Sequence, residues 1–212
     1  MTDLNFIHRF ERGTSNRTLL LLHGTGGDEN DLIDLGRAID PDAALLSPRG
    51  KILENGAPRF FRRSAEGVFD EADVVRRAHE LSEFIKAAIA EYRIDPAQMV
   101  AAGYSNGANI AAAMLLLGVA AFSRAILFRA MVPLSNLETV PDLIGTNVLL
   151  AAGKFDPIAR ADTVGSLAGL LRRAGANVAV QIRPSGHELT AEDVASARDW
   201  LGEAMPLPGG RL

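Results

Sequence analysis

Gly103-Tyr104-Ser105-Asn106-Gly107 has the form G-x-S-x-G, and the residues around it decide what that form means. Residues 98–102 are short and mostly apolar, like a buried strand. Residues 108–117 are rich in Ala, Leu and Met, with no helix breaker before Gly118. A strand that turns sharply into a helix holds its central serine in a strained conformation, with Oγ projecting above the sheet as a nucleophile elbow. Side chains in place of the two glycines would collide with the neighbouring strand and helix. The turn also sets Ser105 at a helix N-terminus, where free N–H groups and the dipole favour developing negative charge.

A pattern with three fixed positions occurs by chance, so partners are needed. In an elbow of this kind an acid and then a histidine follow the serine along the chain. Asp156 comes after the apolar run 148–152 and the loop Gly153-Lys154-Phe155. His187 lies in Ser185-Gly186-His187-Glu188, just after the run 178–182. Each sits beyond the C-terminal end of a predicted strand, the edge where open α/β sheets keep their chemistry. Ser105, Asp156 and His187 are therefore the candidate catalytic residues. His187 takes the serine proton and returns it to the leaving group, while Asp156 fixes the imidazole tautomer.

A third strand run, 18–22, ends in His23-Gly24-Thr25-Gly26-Gly27. One oxyanion donor is the backbone N–H after the nucleophile, here Asn106, and the other comes from this early glycine-rich loop, with Thr25 the candidate. Taken alone, Asp156-Pro157 reads as a helix N-cap with proline at the first helical position. The rival histidines are placed elsewhere: His8 in an N-terminal strand, His79 in a helix, and His23 bracing the oxyanion loop. Glu188 is a rival acid, but its adjacency to His187 makes the geometry awkward. A dinucleotide site in residues 24–29 fails on spacing, because Glu29 stands where the third glycine of G-x-G-x-x-G belongs.

The chain has 212 residues, enough for one sizeable core and too few for two comfortable domains. It reads as a single α/β domain over 1–212. Strand and helix patterns alternate, which implies a mostly parallel sheet with helices on both faces. A short helix is expected near Glu29, strands at 43–47 and 125–131, a long helix over 71–92 and another over 162–174 closed by Gly175. A last helix opens with a capping-box-like Thr190-Ala191-Glu192-Asp193, buries Val194, Ala197 and Leu201, and ends in a frayed tail at Pro206 and Pro208.

Composition narrows the class. A net charge of −4 leaves no electrostatic footprint for nucleic acid or an anionic membrane. The longest apolar stretch, 108–121, is broken by Gly118 and falls short of the roughly 20 residues of a membrane span. Residues 1–5 lack the basic and apolar regions of a signal peptide, so the cytoplasm is the expected location. With no cysteine there is no disulfide, thiolate ligand or cysteine nucleophile. The chemistry expected of the triad calls for no cofactor and no metal.

Residues 51–69 have no clear periodicity, and a loop of that length inside a compact domain is usually functional. Phe60 and Phe61, joined by Met131, are candidates to wall an acyl or aryl pocket; otherwise the phenylalanines anchor the loop to the core. Arg59, Arg62 and Arg63 are expected to form a solvated face rather than a trap for a substrate anion.

His23-Gly24-Thr25-Gly26-Gly27-Asp28-Glu29-Asn30-Asp31, Gly103 to Asn109, Asp156-Pro157 and Gly186-His187 together resemble the phospholipase/carboxylesterase family of small serine hydrolases. The stretch from Ser47-Pro48-Arg49-Gly50 to Arg59-Phe60-Phe61-Arg62-Arg63 resembles a bacterial subset often found with hydroquinone- or catechol-cleaving dioxygenases. The resemblance spans nearly the whole chain. It implies an α/β-hydrolase fold without a large cap domain, often dimeric, cleaving esters or thioesters of short acyl groups. Acyl-protein thioesterases of the family carry Gly-Phe-Ser-Gln-Gly and a leucine after the His-Gly pair, where this chain has Tyr104, Asn106 and Thr25. The backbone donors survive those changes; the thioesterase substrate does not carry over. A serine carboxylesterase acting on a small-molecule ester is the leading expectation. Alternatives are cleavage of a C–C bond or enol-lactone in an aromatic ring-cleavage product, lysophospholipase or thioesterase activity, and a non-catalytic binding protein, which usually lacks a triad member.

Overall fold

A computed structural model of the chain describes residues 4–203 except 136, 138 and 140; the predicted tail at Pro206 and Pro208 lies outside these. The chain opens with β1 (His8–Glu11), β2 (Thr18–Leu22), α1 (Ile33–Ile39) and β3 (Ala44–Pro48). Two small hairpins follow, β4 (Ile52–Glu54) with β5 (Ala57–Arg59) and β6 (Arg63–Ala65) with β7 (Val68–Phe69). Next come α2 (Glu71–Tyr92), β8 (Met99–Tyr104), α3 (Asn106–Leu116) and β9 (Arg124–Phe128). The last elements are β10 (Asn147–Gly153), α4 (Ala161–Arg173), β11 (Asn177–Arg183) and α5 (Ala191–Gly202).

Seven strands form one sheet in the order β1-β3-β2-β8-β9-β10-β11, with only β1 antiparallel to its neighbour. Alternate residues of each strand face opposite sides. Leu20, Leu22, Ala101, Leu127 and Leu150 pack under α2, α3 and α4, while Leu19, Leu21, Val100, Ile126 and Leu149 pack under α1 and α5. Each such leucine contributes about 1.5–3 kcal/mol by leaving water, which is why the strands read as unbroken apolar runs. The order of strands reverses between β2 and β8, which lie side by side with Leu22 opposite Gly103. At this reversal the chain leaves the sheet in opposite directions and opens a crevice above the strand ends. The loop after β2 and the elbow after β8 both enter it.

Three expectations change. The helix expected near Glu29 starts four residues later, because Asp28 accepts the Asn30 N–H and residues 28–33 fold into turns. Residues 51–69 are the two hairpins rather than an irregular loop. Asn55 and Gly56 both have positive φ, 52° and 85°, the signature of a two-residue turn matched to strand twist. In α5, Val194 is only partly buried, and Trp200 joins Ala197 and Leu201 in the core.

Candidate active site

Ser105 follows β8 with φ 51° and ψ −111°, a strained conformation that persists only where the surroundings over-determine it. Its N–H donates to Phe128 O at 2.9 Å and its carbonyl accepts the Asn109 N–H at 2.9 Å. A Cβ on Gly107 would lie 1.9 Å from Leu22 O and 2.3 Å from Leu22 C, so α3 approaches β2 at backbone distance. Ser105 stands at the N-cap of α3, yet it makes no capping bond. Its Oγ lies 2.9 Å from His187 Nε2 instead.

His187 Nδ1 lies 2.8 Å from Asp156 Oδ2, completing a row of three side chains from three loops. Asp156 is 5% exposed, and its other oxygen accepts the N–H groups of Ile158 (2.8 Å) and Ala159 (2.9 Å). One carboxylate oxygen therefore meets the imidazole while the other serves the turn. The capped segment is a turn, since α4 starts at Ala161. The loops bearing Asp156 and His187 touch backbone to backbone: a Cβ on Gly153 would sit 2.1 Å from Gly186 O. Glu188 turns back to accept the Gly186 N–H at 3.1 Å and does not reach the imidazole.

His23 is fully buried and braces the glycine-rich loop. The Gly50 N–H can only donate, so Nε2 accepts it at 2.9 Å and Nδ1 carries the proton to Gly24 O at 2.6 Å. Burial lowers its pKa below the ordinary 6.5, keeping the ring neutral. Thr25 is exposed; its Oγ1 accepts Arg59 Nη1 at 2.6 Å, and the Gly26 N–H donates to Pro58 O at 2.9 Å. Asn106, the first residue of α3, has a backbone N–H without an intrahelical acceptor, while its Oδ1 accepts the Phe60 N–H at 2.7 Å.

Arg59 is not part of a solvated face. It is 2% exposed, donating to Thr25 Oγ1 and Phe61 O and pairing with Glu54 at 3.1 Å. Arg63 also pairs with Glu54, at 2.9 Å, and Arg62 is exposed. Phe60 and Phe61 are buried and tie the 51–69 segment to the core, with rings 4.7 Å from His23 and 5.1 Å from Phe69. Met131 is half-buried beside Gly67, its backbone N–H on Asn109 Oδ1 at 2.7 Å. Among the described residues, no group of three or more His, Asp or Glu side chains is arranged to hold a metal ion.

The sequence reading missed Tyr104, whose hydroxyl donates to the backbone carbonyl of His187 at 3.0 Å. Its place inside the elbow was the available signal. It also missed Arg129, a charged residue inside the apolar run read as a strand.

The family model described as Phospholipase/Carboxylesterase matches residues 9–204. The chain belongs to this family. A Bacillus subtilis (strain 168) protein described as a hydrolase, MhqD, is 48% identical over 198 residues, covering 93% of this chain and 98% of that one. The crystal structure of the Bacillus cereus carboxylesterase superposes with a TM-score of 0.91 at 44% identity, covering 94% of this chain and 95% of that one. A carboxylesterase from Mesorhizobium loti superposes with a TM-score of 0.89 at 34% identity, covering 96% and 98%. This family member is a serine hydrolase of the carboxylesterase type, with the α/β-hydrolase fold and no large cap domain. Among the described residues no helix is long and apolar enough to cross a membrane.

Proposed function

We propose that this chain hydrolyses small carboxylic esters, aryl esters included, through an acyl-enzyme on Ser105. The observation that carries the reading is the unbroken row from Ser105 Oγ through His187 to Asp156, with steps of 2.9 and 2.8 Å. A serine hydroxyl is a weak nucleophile at neutral pH. His187 Nε2 takes its proton as Oγ attacks the ester carbonyl, and Asp156 Oδ2 accepts the Nδ1–H and stabilises the imidazolium. The same imidazolium protonates the departing alcohol, and a water activated by the neutral ring then releases the acid.

The carbonyl oxygen becomes negative in both tetrahedral intermediates. In this reading the N–H groups of Asn106 and Thr25 receive it, each worth about 2.7–4 kcal/mol of barrier. The Asn106 donor is aided by the positive end of α3. The Thr25 donor is held by the Arg59 contact to its Oγ1 and by the neutral His23 beneath the loop.

Steady-state hydrolysis of p-nitrophenyl acetate and butyrate tests the proposal. Ser105→Ala should cut kcat by 10³-fold or more, on the order of the loss for removing a triad nucleophile. A Ser105→Ala protein that keeps a tenth of the wild-type rate overturns it.

A further inference from the structure

Arg129 lies where the three loops of the site converge. It follows β9 with φ 56°, an uncommon conformation for a residue other than glycine, and is fully buried. The carbonyl just before it, Phe128 O, accepts the Ser105 N–H. Its own N–H donates to Ala151 O of β10, the strand that leads to Asp156, at 2.8 Å. Its guanidinium then reaches the loop that carries His187. Nε donates to Gly186 O at 3.1 Å, and Nη2 donates to Glu188 O at 2.6 Å and Ser185 Oγ at 3.1 Å. The carbonyls on both sides of His187 are thus held by one rigid fork.

The remaining contacts of that fork go to Ala151 O and to Asp193, whose carboxylate it meets at 2.6 and 3.3 Å. Asp193 is 1% exposed and also closes the capping box of α5 with Thr190. A charge so deeply buried is tolerated only when it is paired and every N–H finds an acceptor. Residues 185–188 are also tied to the body by the Tyr104 hydroxyl on His187 O, the Phe155 N–H on Ser185 O and the imidazole's own contacts with Ser105 and Asp156. A lysine keeps the charge but not the planar fork, and a hydrophobic residue keeps neither.

We propose that Arg129, fixed by Asp193, is a positioning residue that holds His187 in line with Ser105 and Asp156. The proposal rests on the triad reading above. Its prediction is that loosening the fork lowers the rate of serine attack without weakening substrate binding, since a shift of about 1 Å in the imidazole costs on the order of 10²-fold.

The experiment compares wild type with Arg129→Lys. It measures kcat and KM for p-nitrophenyl acetate, the rate of Ser105 labelling by a fluorophosphonate, and the downfield proton resonance of the His187–Asp156 bond. Expected are a fall in kcat and in labelling of about 10²-fold, KM within threefold, and a resonance broadened or lost. A folded Arg129→Lys with kcat, labelling and resonance as in wild type overturns the proposal. If Arg129→Lys does not fold, Ser185→Ala removes one acceptor of the same fork at a half-buried position. A several-fold loss of kcat at unchanged KM and Tm then supports the clamp, and an unchanged kcat overturns it. Wild-type protein that takes no label on Ser105 overturns the triad reading itself, whereas equal labelling of wild type and Arg129→Lys overturns the clamp alone.

Discussion

Replacing Asp156 separates two jobs that one carboxylate performs. Oδ1 accepts two turn N–H groups, from Ile158 and Ala159, and Oδ2 accepts the His187 Nδ1–H. Asp156→Asn keeps an oxygen for the turn and puts an NH₂ against the imidazole. Two donors then face each other, so His187 moves its proton to Nε2 and loses the lone pair that Ser105 needs. The loss expected from a wrong tautomer is on the order of 10⁴ in kcat, or about 5.5 kcal/mol of barrier. Stability changes little, because the buried N–H groups stay satisfied. Asp156→Ala leaves both without an acceptor, at about 1–3 kcal/mol each. For a domain of this size, roughly 2–4 °C of Tm per kcal/mol makes that a drop of about 4 to 24 °C. Thermal unfolding and p-nitrophenyl acetate hydrolysis, run on both variants, give the answer. An Asp156→Asn protein with a tenth of wild-type kcat, or one as unstable as Asp156→Ala, contradicts this division between the two oxygens.

Three further outcomes follow from the same geometry. Gly107→Ala drives a Cβ into the backbone of Leu22, so kcat should fall by about 10²-fold as the elbow shifts, and Tm should fall with it; a variant matching wild type in both contradicts the close approach. Ser105→Gly should be more stable than Ser105→Ala by about 1 kcal/mol, reversing the usual order, because only glycine relaxes at φ 51°; equal urea midpoints would count against strain at the elbow. His23 has its pKa lowered by burial, so the unfolded chain binds a proton near pH 6.5 that the folded chain refuses. Stability from this group is full above that pH and declines below it by up to about 1.4 kcal/mol per pH unit until the folded pKa is reached. The urea stability of wild type should lose that slope in His23→Gln, and parallel pH profiles for the two proteins would contradict the buried neutral ring.

Strands and helices were legible wherever one local pattern decides them. The four leucines of β2 leave no polar face to expose, and Val74, Ala78, Leu81, Ile85 and Ala88 recur at helical spacing through α2. The row of Ser105, Asp156 and His187 was legible for a related reason: each follows an apolar strand run. Residues 51–69 were misread because their strands are two or three residues long, too short to show alternation, although Asn55-Gly56 marked the first turn. Arg59 and Arg129 look like surface residues until their acceptors are known. Those acceptors lie at Thr25 and at Asp193, 34 and 64 residues away, and such distances carry no local signature.

In the proposed mechanism an imidazole 2.9 Å from Ser105 Oγ makes that one hydroxyl a nucleophile. Peptide mass mapping after brief exposure of the folded protein to a fluorophosphonate tests it most directly. A single modified residue, Ser105, is expected in wild type and none within the same exposure in His187→Ala. A label on another residue, or equally fast labelling of Ser105 in His187→Ala, would contradict it.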